Sequence, residues 1–389
     1  MTKHDHQVRN LAVQRFLNGE KPKSICSSLG KSKSWLYKWV SRYNPHEPSW
    51  YKNKSKRPCN NPLRTTSEIE EIVKMLRLNL YNQDLYYGAQ AIQWELEDLN
   101  VQPIPSLSTI KRIVKRHGLT HRRTGRYEPK GIPYPKLEAT IPNQIHQADF
   151  VGPCYLKGPI RFYSLNIVDI STGRCGVQPL FSKSGQSMID GLWDIWKRMG
   201  IPRNIQIDNE MVFYGSPTHP RGMGPLIRLC LHYNIEPWFI PVSEPWRNGV
   251  VEKFNEHFEQ KFLGKYTMKT GAELRQGALE YEYRHNSKYR YSKLRGQTPL
   301  KALTASGKEL TFPDKKVAPR YPMKKPEKGR YHLTRFIRSD LHLNIFGETF
   351  PVSPDLEYEY VVATVDVKEQ KLKLYLDNKQ VDDINYRLR

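Results

Sequence analysis

Three acidic residues, far apart in the chain, each close or open a short regular run. Asp149 ends the strand-like run Ile145-His146-Gln147-Ala148-Asp149-Phe150. Asp208 ends Asn204-Ile205-Gln206-Ile207-Asp208-Asn209. Glu252 falls in the first turn of a helix that comes after Pro245-Trp246-Arg247-Asn248-Gly249. Two strand ends and a helix start can converge in space. Converging carboxylates suit a hard divalent ion, because Mg²⁺ prefers oxygen ligands in an octahedral shell completed by water and phosphate. A pair of such ions can serve phosphodiester chemistry by activating one oxygen and stabilising another.

The charge of the chain points the same way. Its 389 residues carry 62 Lys and Arg against 39 acidic residues, a net charge of +23. A protein this basic usually meets polyanions, because each neutralised phosphate releases counterions. Ribosomal-type or membrane-surface binding would also account for the charge. The excess is uneven: residues 1–142 hold a net +13, residues 143–265 only +2, and residues 266–389 +8. The acid-bearing middle is nearly neutral and the flanks are the electrostatic arms. No long apolar run is present, so no transmembrane span is expected. No charged-then-apolar leader opens the chain, so secretion is not expected. Cys26, Cys59, Cys154, Cys175 and Cys230 are odd in number and widely spread, without zinc-finger spacing. Free thiols in a reducing cytoplasm are the plain reading.

From the start, His4–Asn18 has near-helical apolar spacing and ends at Gly19. Pro22 opens a second segment that stops at Gly30, and Ser32 can cap a third holding Trp35, Leu36, Trp39 and Val40. This layout predicts a helix-turn-helix unit over 1–44, with Lys31, Lys33, Ser34 and Lys38 facing phosphates or base edges. A small helical bundle with an ordinary basic face is the alternative. Residues 45–64, rich in Pro and Lys, read as an extended basic linker that either tracks DNA or tethers. A second three-helix set spans 65–119. Lys111, Arg112, Lys115 and Arg116 make its third helix strongly basic, and the basic run continues through Arg122 and Arg123 into a second linker over 120–142.

Residues 143–265 read as mixed α/β. Three strand-like runs come first, then an amphipathic helix at Gln186–Met199, the strand ending at Asp208, a helix at Leu226–Tyr233 and a strand at Pro237–Pro241. From Gly249 a helix puts Val251, Phe254, Phe258 and Phe262 on one face and Glu252, Glu256 and Glu259 on a neighbouring one. Asn248 is placed to cap it. Either Glu252 or Glu256 could be a plain first-turn carboxylate favoured by the helix dipole. Asp169 and Asp194 are rival acids, and Asp169 sits where turn-capping Asp is common. His146 and His219 read as polar surface or supporting groups. A helical extension and a Lys/Pro-rich linker occupy 266–330, and period-two runs at 331–389 suggest a small β-barrel.

The ordered set of Asp149, Asp208-Asn209 and Asn248-x-x-x-Glu252 resembles the catalytic core of DDE transposases and retroviral integrases, in particular bacterial insertion-sequence transposases. Two features depart from the family's usual pattern. The 44 positions from Asp208 to Glu252 are more than is common, with a Gly/Pro-rich run at 214–224 taking the excess, and Glu210 stands where Gly is common. The resemblance implies a ribonuclease H-like core flanked by helix-turn-helix units and a C-terminal barrel that contacts DNA, contacts partner subunits or caps the core. It implies Asp149, Asp208 and Glu252 as both catalytic and metal-binding residues, holding two Mg²⁺ with Mn²⁺ as a substitute. It further implies double-stranded DNA, both element ends and target, as the partner of a homo-oligomer in the bacterial cytoplasm, associated with the nucleoid. A helper ATPase would be compatible, though no motif marks one. The rival readings are a non-catalytic DNA-binding regulator, such as a domesticated transposase, and a ribonuclease of the same fold.

Overall fold

The computed structural model describes residues 3–47, 49–53, 65–120, 134–216, 218, 219 and 221–389. Most of the two expected basic linkers lies outside these residues, as do Cys59, Arg122 and Arg123. The chain divides into two compact units, Met1–Thr66 and Ser67–Arg389.

The first unit holds helices α1 (Lys3–Leu17), α2 (Pro22–Leu29) and α3 (Lys33–Val40). Ala12, Ile25 and Leu36, one from each helix, meet in its fully buried centre. Gly30 takes a left-handed conformation at φ +59°, which ends α2 and frees the chain to turn into α3. Ser32 then caps α3 by accepting the N–H of Trp35 at 3.2 Å. The described part of the expected linker is not extended. Residues 49–53 fold back on α1, where Arg9 donates to the Tyr51 carbonyl at 2.7 Å and Trp50 packs edge-on against Tyr43. Two aromatic rings with apolar surface to bury account for this where proline density alone suggested an extended tether.

The second unit opens with α4 (Ser67–Asn82), α5 (Ala89–Asp98) and α6 (Leu107–Arg116) around Ile69, Val73, Ile92, Ile110 and Ile113. This helical set is docked onto later segments of the same unit. Tyr289 is buried in its core and donates its hydroxyl to the Asp84 carbonyl at 2.6 Å, and Tyr86 meets His257 at 3.1 Å.

Strands β1 (Ile145–Tyr155), β2 (Arg161–Asp169) and β3 (Cys175–Leu180) form an antiparallel meander. Then come α7 (Gly185–Met199), β4 (Asn204–Ile207), a short α8 (Met211–Tyr214), α9 (Pro225–His232) and β5 (Glu236–Phe239). Helix α10 (Gly249–Phe258) runs on through a π turn at Glu259–Leu263, and α11 (Gly271–Lys288) and α12 (Pro299–Ser306) come next. The chain closes with β6 (Arg330–Phe336), β7 (His342–Ile345), β8 (Glu348–Pro351), β9 (Tyr360–Asp366), β10 (Lys371–Leu376) and β11 (Lys379–Asn385). Nine strands make one sheet in the order β11-β10-β9-β6-β5-β4-β1-β2-β3, and β7 and β8 form a separate hairpin. Residues of α7 and α9, led by Trp193, Trp196, Leu226 and Leu229, join one core with the sheet. Phe254, Phe258 and Phe262 join Leu274 and Tyr281 of α11 in another.

Two expectations for the C-terminal third need correction. Residues 331–389 are stranded as the period-two pattern predicts, but they do not close into a barrel. Strand β6 pairs in parallel with β5, Trp238 opposite His332 and Phe239 opposite Leu333, and β9–β11 extend the same open sheet. Without β6, β5 would present a row of unpaired backbone groups at a sheet edge. The Lys/Pro-rich run at 304–330 is a strap in place of a free linker. It accepts the N–H of Ile201 at Thr311, the indole N–H of Trp193 at Lys315 and the guanidinium of Arg228 at Met323.

At the opposite edge, β3 is sealed by side chains of α11. Asn286 accepts from the Cys175 N–H at 2.8 Å and donates to its carbonyl at 2.9 Å, and Glu282 accepts the Val177 N–H at 2.8 Å. The same carboxylate takes both ends of the Arg198 guanidinium at 2.9 Å. Glu282→Ala would strand a backbone N–H and a half-buried cation together. It should cost on the order of 2 kcal/mol in urea unfolding. Glu282→Gln, which can still accept from Val177, should lose less; an equal loss in both would show that the edge contact contributes nothing.

Candidate active site

The parallel register of β1 and β4 brings two of the three acids together. Ile145 lies opposite Asn204 and Gln147 opposite Gln206. Two residues further on stand Asp149, within β1, and Asp208, just past the end of β4, on neighbours about 4.8 Å apart in the hydrogen-bonding direction. Because side chains alternate faces, equal offsets from a register pair leave both on the same side.

Each carboxylate is fixed by N–H donors. Asp149 Oδ1 accepts the Phe150 N–H and Oδ2 accepts Asn255 Nδ2, both at 2.8 Å. Asp208 Oδ1 accepts the Glu210 N–H at 3.1 Å in the turn leading into α8. Burial, and next the charge of Asp208, push Asp149 up to about 7, with Glu210 and Glu252 adding to the rise. Asp208 is pushed up to about 6 by burial and then by Glu210, while Lys183 opposes the rise. Burial alone raises Glu252.

Glu252 is delivered by α10, whose start is pinned to β1. Gln147 Oε1 accepts the N–H of Val250 at 3.0 Å and of Val251 at 3.1 Å. Asn248 Nδ2 donates to the Ala148 carbonyl at 3.0 Å. This corrects the capping expected of Asn248. It ends a 3-10 turn at φ −95°, ψ 27°, outside the extended conformation a capping residue needs, and makes no side-chain cap bond. A glutamine from the neighbouring strand caps the helix instead, so helix position and strand position are locked together.

The rival acids have other work. Asp169 is buried and gathers Thr172 Oγ1, the Thr172 N–H and the Asn143 N–H, the turn-capping role its position suggested. Asp194 is paired with Lys197 on α7, and Glu256 is exposed and paired with Lys253. His219 is on the surface, as expected. His146 is not: it is fully buried, shares one hydrogen bond with Asn143, and burial pushes its ring down to about 3. Its neighbours in β1 face a two-sided core, which excludes a surface role.

Several residues of the site were not anticipated. Ser164, Asn166 and Asn255 form a buried line of hydrogen bonds ending on Asp149, with spacings of 2.7, 2.8 and 2.8 Å. Asn255 was detectable, since it is a polar residue four positions after Val251 on the apolar stripe of α10. Asn166 and Ser164 lie on β2 opposite Asp149 and Val151, a register that becomes visible only once the strands are paired. Arg335 of β6 is a buried guanidinium that donates to Asn209 Oδ1 at 2.9 Å and to the Ile240 carbonyl at 3.2 Å. It ties the C-terminal strands to the turn directly after Asp208.

The donor set suits a hard cation, being half-buried carboxylate oxygens raised first by burial and, at Asp149, also by the charge of Asp208. As arranged, no three His, Cys, Asp or Glu side chains among the described residues are gathered closely enough to hold one. The basic candidates are mostly free to meet a polyanion. Lys31, Lys33, Ser34 and Lys38 are exposed on and before α3, and Lys111, Arg112 and Lys115 on α6. Arg116 is also exposed but pairs with Glu70 at 2.5 Å.

Residues 3–47 match the model of a homeodomain-like domain, in line with the helix-turn-helix expected there. The chain is also similar to several solved structures. Against the magnesium complex of the HTLV-2 integrase catalytic core domain in its trimeric form, the TM-score is 0.33 at 18% identity, covering 42% of this chain and 99% of that one. The dimeric form gives 0.33 at 19% identity, with 42% and 97% covered. The simian T-cell lymphotropic virus intasome in complex with PP2A regulatory subunit B56 gamma gives 0.38 at 12% identity, with 82% and 97% covered. No helix among the described residues is long and apolar enough to cross a membrane.

The acid pair has a pH signature. Asp149 holds its proton to about pH 7 when folded and only to about 4 when unfolded. Its ionisation therefore opposes folding. That penalty is fully present above pH 7 and is relieved as the pH falls toward 4. In EDTA, the melting temperature of the unsubstituted chain should drop relative to Asp149→Asn as the pH is raised from 5 to 8. Parallel curves for the two proteins would show that Asp149 keeps an ordinary carboxylate pKa in the fold.

Proposed function

We propose that this chain is a DNA transposase or integrase, of the bacterial insertion-sequence kind, that binds the ends of a mobile element and then cuts and joins phosphodiesters at a DDE site. The observation that carries the reading is the register of two neighbouring parallel strands, which sets Asp149 within β1 beside Asp208 just past the end of β4, with Glu252 on a helix pinned to β1. Unrelated structural roles would not require that three isolated acids share one strand register and one helix start.

In this reading Asp149, Asp208 and Glu252 would hold two Mg²⁺ ions, for which Mn²⁺ could substitute. When bound, the ions supply the positive charge that activates the attacking oxygen and stabilises the leaving one. The protein contributes position. Asn255 and the Phe150 N–H aim the Asp149 carboxylate, and the Gln147 cap sets how far Glu252 stands from it. Water attacks the phosphorus at the element end, the P–O3′ bond breaks, and a 3′ hydroxyl and a 5′ phosphate result. That hydroxyl then attacks a target phosphorus in line and expels the target's own 3′ oxygen as a hydroxyl, so no covalent link to the protein is needed. Fixed carboxylates favour such in-line geometry because the reacting groups need no reorganisation during the step.

Recognition falls to the helical units. Lys31, Lys33, Ser34 and Lys38 would contact one stretch of duplex, and Lys111, Arg112, Lys115 and Arg116, with Arg122 and Arg123, another. Joining two ends calls for at least two copies of the chain on DNA.

Asp149→Asn, Asp208→Asn and Glu252→Gln should each lower Mg²⁺-dependent nicking and joining of end-bearing oligonucleotides by about a thousandfold. Binding to the same DNA in EDTA should stay within about twofold, since the acids make no contribution to duplex affinity. Activity near the unsubstituted level in any of the three would remove that residue from the site. Sequence-specific binding with no nicking in Mg²⁺ or Mn²⁺ would leave the chain a DNA-binding regulator. Separately, Lys111→Ala with Lys115→Ala should reduce the slope of log affinity against log salt by about 2; an unchanged slope would place α6 away from DNA.

A further inference from the structure

Glu210 is the residue at which this chain departs from the pattern it otherwise resembles, and the chemistry above does not use it. Its Oε1 pairs with Lys183 Nζ at 2.5 Å, while its Oε2 is buried with no hydrogen-bond partner among the described residues. Lys183 comes from the loop between β3 and α7, far from Glu210 in the chain. Its ammonium lies 4.7 Å from the centre of the Phe150 ring, next to Asp149, and 5.6 Å from that of Tyr163. Phe150 in turn stacks on Phe213 of α8, which begins just after Glu210. The ammonium thus links Phe150 of β1 to Glu210 in the turn after β4.

Lys183 therefore stands between Phe150, the residue after Asp149, and Glu210, two residues after Asp208. Its side chain is about a quarter exposed, at 27%, so it has room to leave.

We propose that Lys183 is a displaceable internal counter-ion, tethered by Glu210, which competes with the divalent ion for the carboxylates of the site. The inference rests on the metal-binding reading of Asp149 and Asp208. When the ion enters, the ammonium swings off and Glu210 is left facing the ion with a free carboxylate. A glycine at position 210 could provide neither the tether nor the extra negative charge.

Calorimetric titration of the full chain with Mn²⁺ tests this without any activity measurement. Binding to the unsubstituted chain that is lost in Asp208→Asn establishes the underlying site. Lys183→Met should then bind Mn²⁺ about tenfold tighter, because a positive charge beside the site is gone. Lys183→Gln should do the same and serves if the methionine variant folds poorly. Lys183→Arg, which keeps the charge, should stay near the original affinity. Adding Glu210→Gln to Lys183→Met should erase the gain. Unchanged or weaker binding in Lys183→Met and Lys183→Gln, or a gain that survives Glu210→Gln, would overturn the counter-ion while leaving the site standing. No Asp208-dependent binding in the unsubstituted chain would overturn both.

Discussion

The side chain of Gln147 carries more of this architecture than its size suggests. It points from β1 toward the start of α10 and accepts two backbone N–H groups there. Helix starts leave several N–H groups without partners, and a buried start needs an acceptor from somewhere. Most helices supply their own through a capping Ser, Thr, Asp or Asn. Here the acceptor belongs to the strand that carries Asp149, so the helix carrying Glu252 cannot slide without breaking bonds to that strand. Asn248 adds a bond to the Ala148 carbonyl and Asn255 one to Asp149 itself. The spacing between acids thus depends on three amides, all buried, and on no flexible loop.

The same logic explains why the two aspartates tolerate one another. Burial raises both carboxylates, with the charge of Asp208 adding to the rise at Asp149 and that of Glu210 to the rise at Asp208, and holding them so costs free energy. The sheet that holds β1 and β4 is sealed at β3 by α11 and continued past β5 by β6, and this bracing on both sides offsets the cost. Sites that must bind a cation are commonly held in this unfavourable state by the fold around them, and stability is given up for affinity.

Much of this was legible in the sequence because it rests on local rules. Strands form at the runs 145–150 and 204–208, the first running on to Tyr155, the helix after Gly249 carries its apolar stripe, and Ser32 sits where a cap belongs. The three acids stood out for the same reason, since each falls at the boundary of a periodic run. What could not be read depends on pairing between distant segments. That β6 would extend the core sheet depends on an edge at β5 that exists only after folding, and the period-two pattern of 331–389 fits an open sheet as well as a closed one. Asn166 is a polar residue in a strand of apolar ones, and its purpose appears only when β2 sets it opposite Asp149. The cap at α10 misled because Asn at a helix start usually turns its own side-chain oxygen onto the first N–H groups, whereas here the preceding 3-10 turn rotates it away.

The C-terminal strands are consequently more than an appended module. Arg335 reaches from β6 into the turn after Asp208, and its guanidinium satisfies Asn209 Oδ1, the Ile240 carbonyl and the Asn344 carbonyl at once. Asn209 also donates to the Ile240 carbonyl at 2.6 Å. A buried cation without a carboxylate partner is costly, and burial pushes this one down to about 10. Carbonyl and amide oxygens can offset that cost only if they converge, which forces the 209 turn, the end of β5 and the hairpin strand β7 into one arrangement. The position of Asp208 is therefore set from both sides, by β1 through strand register and by β6 through a single arginine. A fold in which β6 had closed into a separate barrel would have lost the second of these constraints, and the turn carrying Asp208, Asn209 and Glu210 would have been held by one neighbour alone.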